Sequence, residues 1–361
     1  MIGRTEIIAI EQAEPRPEEM VSNMEQLDVL RVNGIELMPA KYARYVDPCH
    51  GFHGIQTRWL SGPKTTSYHL ALEAGRNLFQ AAAAADRNFT PAKVVVYHSG
   101  GSTPDQIYSS CANRLQEDLG TPSDLAEARD ISKGCGSLTD ALIVVDRCLR
   151  CIAEDDNLQP GQTLYGAVIG GEAIGDLANE PNSIHYLLWG CGGIGLGVRF
   201  TVGQRDRGII RVRTRSLGAY AYLTESYGIG TSPEYYGQRP NSIMGRGGVY
   251  AQEVQKLVVG TIAPALEQFV RDCGLDPAAP DLVLCGHNPT YNGAKDFGVA
   301  AGFNRDQVIS VADVYANTSS VGAFANYRHG RKTGQIRSGC HVFIVGYGAG
   351  FDYQFIHYRE P

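Results

Sequence analysis

The chain has 361 residues, 43% of them hydrophobic and 19% charged, with 43 glycines and a formal net charge of −6. That much apolar material is ample for a large buried core and excludes a disordered chain; 32 basic against 38 acidic residues, without a basic run, exclude a nucleic-acid surface, which needs clustered Lys and Arg. Nine cysteines, an odd number at irregular spacing, do not make a secreted disulfide framework, and the first residues (MIGRTEIIAIEQAEP) lack a signal-peptide core, so the expectation is a cytoplasmic protein with reduced thiols and no membrane-spanning segment.

In chain order, residues 5–11 read as an opening strand, and the acidic stretch from Pro15 to about Asn33 includes a helix. The Gly-, Pro- and aromatic-rich segment 39–66 reads as a long loop region, followed by an Ala-rich helix over 67–86. KVVVYHSG (93–100) is a short β-branched run, the mark of a buried strand, and 102–120 carries an N-cap signal, periodic apolar positions and a terminal Gly, which predict a helix. Residues 128–154 predict a short strand, a tight Gly-flanked turn and an apolar helix beginning near Cys135. TLYGAVIGG (163–171) is another buried strand, and 184–202 two strand-like runs around a Gly-rich bend. The order then partly recurs: a strand in GIIRVRTRSL, a long helix over 247–273, a buried strand in DLVLCGH (281–287), a helix in TYNGAKDFGVAAG, and two strands around a Gly turn over 340–358. Alternating strands and helices imply an α/β layered core, and the two rough half-repeats, meeting near residue 203, suggest a duplication.

Cys135 stands out among the cysteines by its setting. A cysteine at a helix N-terminus meets free backbone N–H groups and the positive end of the helix dipole, and both lower a thiol pKa. Gly134 and Gly136 let the turn tighten. The same position also suits a buried cysteine acting as a small apolar residue. His287 (GHNP, 286–289) and Asn317 (VYANTSS, 314–320) each follow an apolar run, where α/β enzymes keep their chemistry; either alone is equally at home as a structural histidine or a turn asparagine. GYGAGF (346–351) offers backbone N–H groups for an oxyanion hole or simply makes a tight hairpin. GCGGIG (190–195) matches the dinucleotide-loop letters, but a strand-like run follows where a helix is required, so no nucleotide site is expected. Cys49, His50 and His53 crowd together and Cys148 and Cys151 form a C-x-x-C pair, but that pair lies in an apolar helical run; no metal site is expected.

Taken together, these segments resemble 3-oxoacyl-(acyl-carrier-protein) synthase III of the thiolase-like condensing enzymes. SKGCGSLTDAL resembles the family's cysteine turn, GHNPTYNGA its histidine segment, YANTSSVG its Gly-Asn-Thr-Ser segment, VGYGAGFDY its C-terminal glycine loop, LLWGCGGIGLGV its Phe-Gly-Asp-Gly-Ala-Gly region and GIQTR (54–58) its Gly-Ile-x-x-Arg segment. Six matches in the family's order span nearly the whole chain. The resemblance implies an α/β thiolase-like fold, a duplicated αβαβα five-layered architecture, with residues 1–203 carrying the nucleophile and 204–361 the histidine and asparagine. It implies a homodimer and a ping-pong acyltransferase. Cys135 takes an acyl group from CoA or an acyl carrier protein; decarboxylative Claisen condensation with a malonyl-type thioester follows, His287 and Asn317 stabilise the enolate, and no cofactor is needed. Cys135 and Gly350 are the expected oxyanion hole, and Gly348, Ala349, Asn288 and Arg58 the expected substrate contacts.

The sequence departs from the family in three places. Cys191 stands where the family has Asp, Asn288-Pro289-Thr290 replace Gln-Ala-Asn, and the Trp and Arg that clamp the CoA adenine are replaced by Pro48 and Phe52. These departures favour a specialised-metabolism member loaded by a carrier protein. The alternative is a relative that forms an ester or amide without decarboxylation.

Overall fold

Residues 3–23, 25, 53–62, 64–101, 110–122, 126–174, 187–224, 249–287 and 289–361 are described by the computed structural model. Cys49, His50, Pro48, Phe52, Asn288, the Tyr-rich stretch 225–237 and most of the predicted loop 39–66 lie outside them. The strands are β1 (Gly3–Gln12), β2 (Met20–Ser22), β3 (Thr57–Trp59), β4 (Val94–Gly100), β5 (Glu127–Ile131), β6 (Thr163–Glu172), β7 (Gly192–Val202), β8 (Gly208–Ser216), β9 (Leu282–Gly286), β10 (Val308–Ile309), β11 (His341–Gly348) and β12 (Asp352–Arg359). The α-helices are α1 (Ser67–Ala85), α2 (Cys111–Asp118), α3 (Ser137–Asp155), α4 (Val249–Leu257), α5 (Ala263–Asp272), α6 (Tyr291–Ala300), α7 (Ala312–Tyr315) and α8 (Gly322–Thr333).

Two five-stranded sheets repeat one plan, ordered β1-β7-β6-β4-β5 and β8-β12-β11-β9-β10. In each, the first two pairings are antiparallel and the last two parallel. The duplication therefore resides in topology, while the side chains of the halves have diverged.

Strand side chains alternate between two faces, and here both faces are apolar because both are covered. In β11, Val342 and Ile344 join one hydrophobic cluster, while Phe343, Val345 and Tyr347 join another. In β12, Ile356 and Tyr358 separate from Tyr353 and Phe355 in the same way. The first cluster also holds Leu138, Leu142, Val145 and Leu149 of α3, Phe324 and Tyr327 of α8, and Ile194, Leu196 and Val198 of β7. Helices α3 and α8 thus form a central layer buried between the sheets. Outside, α1 covers the first sheet through Leu72, Leu78 and Ala82, and α5 and α6 cover the second through Leu266, Phe269 and Phe297. The result is five layers, αβαβα.

Two readings of element extent are corrected. Of the stretch 102–120, residues 102–109 lie outside the described ones and the rest holds α2, whose N-cap Ser110 accepts through its hydroxyl from the Asn113 N–H at 3.3 Å. The long helix over 247–273 is divided by a π-helical turn at Val258–Ile262, just before Pro264, a residue with no N–H for a regular ladder. Within 184–202 a single strand, β7, forms among the described residues, and Leu187–Gly190 is irregular because it serves Asn317 instead. Gly192, Gly193 and Gly195 of GCGGIG belong to that strand. Gly193 and Gly195 face α1, and a Cβ added at Gly193 would stand 2.4 Å from the Leu70 carbonyl oxygen. They are there for close strand–helix contact.

Replacing Gly193 by Ala is expected to destabilise the protein by about 1–3 kcal/mol through overpacking against backbone. Gly260→Ala, where an added Cβ meets nothing within 4 Å, is expected to change stability by less than about 1 kcal/mol. Urea unfolding of both variants checks the contrast; equal effects would refute the packing argument.

Candidate active site

Gly134 has φ +52°, and a Cβ there would approach the Ala349 amide nitrogen to 2.8 Å, so both conformation and space require glycine. The Ser137 hydroxyl accepts from the Lys133 N–H at 2.8 Å and lies 2.6 Å from the Gly134 carbonyl, which locks the turn. Cys135 therefore stands two residues before Ser137, the first residue of α3, rather than in its opening turn. The β11–β12 hairpin comes against it from the second sheet. A Cβ on Gly348 would lie 2.5 Å from the Cys135 amide nitrogen, and Gly350, at φ +114°, turns the hairpin.

His287 follows the end of β9 and is anchored by its N–H to the Val345 carbonyl at 2.7 Å. Its ring is 4% exposed, meets Tyr347 edge-on at 5.4 Å between centroids, and hydrogen-bonds the Ser319 backbone. Burial lowers its pKa to about 4, against the upward pull of that Ser319 bond, so the imidazole is neutral at physiological pH.

Asn317 is 2% exposed and clamped by backbone on both sides, its N–H to Leu188 and its carbonyl from Gly190. Its side-chain Oδ1 accepts from the Ser319 N–H at 2.9 Å. That bond occupies the carbonyl end of the amide and leaves Nδ2, a donor, for a ligand. The preceding Ala316 is held at φ +58°, a conformation rare outside glycine.

The residue that unites the site is Ser319, also at positive φ (+52°). Its N–H fixes Asn317, its backbone holds the His287 ring, and its hydroxyl donates to the Cys135 sulfur at 3.3 Å. Sequence reasoning passed over it as part of an ordinary Asn-Thr-Ser turn. A local signal was available: small hydroxyl residues in an apolar context, Thr318, Ser319 and Ser320, are all buried and must be hydrogen-bonded.

The expected low thiol pKa is corrected. Burial pushes Cys135 up to about 12; the Ser319 hydroxyl pulls the other way, the Glu172 carboxylate adds to the rise, and Cys135's own N–H opposes it. Glu172 is fully buried at the end of β6 and is held by the Ser320 hydroxyl at 2.5 Å and N–H at 3.3 Å. The resting residue is a thiol.

The other sequence-selected residues are dispersed. Arg58 is fully buried and hydrogen-bonds the Asn23 side chain. Asn288 lies outside the described residues. Ala349 and Gly348 lie at the cysteine turn, with Gly348 the residue closest against the Cys135 backbone. Cys191, in place of the family's Asp, is held by its N–H to the Trp59 carbonyl at 2.8 Å and by the Ser61 hydroxyl at 3.4 Å from its sulfur. No described helix is long and apolar enough to cross a membrane.

A duplicated five-layer core with a cysteine turn under a glycine hairpin is a thiolase fold, and the comparisons agree. Residues 271–359 match the family description 3-Oxoacyl-[acyl-carrier-protein (ACP)] synthase III C terminal. The chain is 24% identical over 298 residues to a Beta-ketoacyl-[acyl-carrier-protein] synthase III of Sphingopyxis alaskensis, covering 82% of this chain and 85% of that protein. The crystal structure of the 3-oxoacyl-(acyl carrier protein) synthase III of Pseudomonas aeruginosa superposes with a TM-score of 0.78 at 18% identity, covering 99% of this chain and 98% of that one. The priming beta-ketosynthase of the R1128 polyketide biosynthetic pathway superposes with a TM-score of 0.76 at 17% identity, covering 100% and 98%. The chain is thus similar over most of its length to 3-oxoacyl-(acyl-carrier-protein) synthase III enzymes, and it shares their fold.

Two outcomes test the site. With a thiol pKa raised to about 12, the reactive thiolate fraction grows about tenfold per pH unit below that value. Alkylation of Cys135 by iodoacetamide, followed by peptide mass spectrometry, should climb steadily from pH 7 to about pH 10; a plateau near neutrality would show an activated thiolate. Ser319→Val, which forces a β-branched residue into positive φ, should destabilise the protein by about 1–3 kcal/mol, while Ser319→Gly should keep the fold and lower Cys135 acylation. Equal stability of the two variants, measured by thermal unfolding, would remove the strain argument.

Proposed function

We infer that this protein catalyses decarboxylative condensation of an acyl group with a malonyl-type thioester, giving a 3-oxoacyl product in fatty-acid or polyketide-type biosynthesis. In this reading residues 1–203 bring the nucleophile and 204–361 the histidine and asparagine. The observation that carries it is the convergence on Ser319 of a thiol, a neutral imidazole and an oriented carboxamide.

Cys135 attacks the carbonyl of an acyl-CoA or acyl-carrier thioester. A new C–S bond forms, the old one breaks, and the cysteine proton leaves on the departing thiol. Main-chain N–H groups of Cys135 and of the glycine hairpin, at Gly350 or its neighbour Gly348, hold the tetrahedral oxyanion. In this reading Gly348, Ala349 and Asn288 are contacts of the incoming substrate. Loss of CO2 from the malonyl thioester then leaves an enolate. Its oxygen needs donors but no proton, and Asn317 Nδ2 together with a His287 ring carrying hydrogen on Nε2 meet that need. The enolate carbon attacks the acyl-cysteine and releases the thiolate, which regains a proton. No cofactor enters. The acyl donor in this reading is carrier-borne, and the working unit is a homodimer in the cytoplasm.

Transfer to an alcohol or amine asks instead for a histidine basic enough to take a proton near neutrality. Burial holds His287 at about 4, which weighs against that alternative.

Acylation and condensation are separable by experiment. The protein incubated with an acyl thioester should gain one acyl mass, and Cys135→Ala should gain none. With a labelled malonyl thioester, wild type should release CO2 and yield a 3-oxo product. His287→Ala and Asn317→Ala should still acylate but lose about 100- to 1,000-fold in condensation, as for removal of one oxyanion donor. Ester or amide formation without CO2 would establish the alternative, and absence of acylation across a broad donor panel would refute both.

A further inference from the structure

Outside the candidate active site, His98 in β4 is fully buried, yet among the described residues neither of its ring nitrogens has a hydrogen-bond partner. Buried polar atoms are almost always paired, so an imidazole sealed this way asks for a ligand. Its surroundings supply the rest of a site. β4 and β5 run parallel with His98 opposite Arg129, which puts Glu127, two residues earlier, on the same sheet face. Helix α3 packs across that face and delivers Cys148 beside the apolar cluster containing Val96 and Leu149. One ring nitrogen, one carboxylate oxygen and the Cys148 sulfur all lie within 4.8 Å of one another, and His98 Nε2 is 3.9 Å from Glu127 Oε1. Around a tetrahedral cation with bonds of about 2.0–2.3 Å, donor atoms stand roughly 3.3–3.8 Å apart. The three side chains close that gap by small rotations, and they are mounted on two strands and a helix rather than on a loop.

We propose that His98, Glu127 and Cys148 bind one divalent transition-metal cation of the zinc class, with water at the fourth position. The mixed nitrogen, oxygen and sulfur set suits such an ion and not magnesium or calcium, which prefer oxygen. Burial, and then the nearby Arg129, lowers the His98 pKa to about 4, so the ring is already neutral and ready to ligate. Arg129 Nε contacts Glu127 Oε1 at 2.5 Å, and its side chain, 58% exposed, is free to move to the other oxygen. The Cys148 thiol, pushed up by burial first and by Glu127 next, gives its proton to solvent as the metal–sulfur bond forms, so binding tightens as pH rises. Cys151, exposed one turn further along α3, is not needed. The sequence-based expectation of no metal came from weighing the C-x-x-C spacing, whereas the structure pairs only the first of those cysteines with residues far away in the chain.

Co2+ titrated into the reduced full-length protein tests the site. The expected result is one equivalent bound, with a thiolate-to-cobalt charge-transfer absorption that equimolar Zn2+ abolishes. Cys148→Ser should lose the band, while Cys151→Ser and Cys135→Ala should keep it. His98→Gln should weaken binding more than tenfold; if that buried change unfolds the protein, Glu127→Gln, at the exposed rim, should weaken binding in the folded protein. Absence of the band in wild type, its survival in Cys148→Ser, or its loss in Cys135→Ala would overturn the proposal.

Discussion

The positive φ of Ser319 is the constraint on which the arrangement of the candidate site depends. From this one conformation its N–H bonds the Asn317 side chain, its backbone meets the His287 ring and its hydroxyl bonds the Cys135 sulfur. A conformation that costs of order 1–3 kcal/mol persists only where surrounding structure over-determines it. Here it is held from both sides. Asn317 is clamped between Leu188 and Gly190, and Ser320, the next residue, is bonded to buried Glu172. Gly190 must be glycine for the clamp to close, since a Cβ there would stand 2.1 Å from the Tyr315 carbonyl oxygen.

That turn belongs to the second half of the chain, and the sulfur to the first. The duplicated topology explains how they meet. Each sheet sends a central helix, α3 or α8, into the same buried layer, and the two catalytic turns precede those helices: Cys135 before Ser137, Ser319 before Gly322. The hairpin between β11 and β12 closes the arrangement, and the near-contact of Gly348 with the Cys135 amide leaves no room for a side chain between the halves. Rigidity at the site comes from backbone meeting backbone.

Much of this was legible in the sequence. The β-branched run before His98, the apolar period after Ser137 and the alternating strand pattern near residues 340–358 follow directly from burial and periodicity. Cys135 was singled out by its Gly-flanked helix start, His287 and Asn317 because each follows an apolar run, and the structure brings the three together around Ser319. What was not legible depends on distant partners. Nothing local distinguishes Ser319 from Thr318 or Ser320, because its role comes from a backbone angle and from contacts with residues far off in sequence. Arg58 was selected on a five-letter match, from which its burial against Asn23 could not be read. Of the predicted helix 102–120, Cys111–Asp118 is helical, with Ser110 as its N-cap, and residues 102–109 lie outside the described residues.

The thiol is the clearest case of two sound principles in conflict. A helix N-terminus stabilises a thiolate, and low dielectric destabilises it. The dipole acts strongly only within the first turn, and Cys135, only partly exposed, lies just ahead of it and close to a buried carboxylate. Burial therefore wins, as it does at His287. Both shifts favour the uncharged form, so the resting pair is thiol and imidazole rather than thiolate and imidazolium. That choice suits an enolate-forming reaction. An imidazolium would donate a full proton to the enolate and quench it, whereas a neutral ring and a carboxamide can stabilise the negative oxygen and leave the carbon nucleophilic. The same low dielectric that makes the cysteine a weak acid thus makes its two companions strong hydrogen-bond donors of limited acidity.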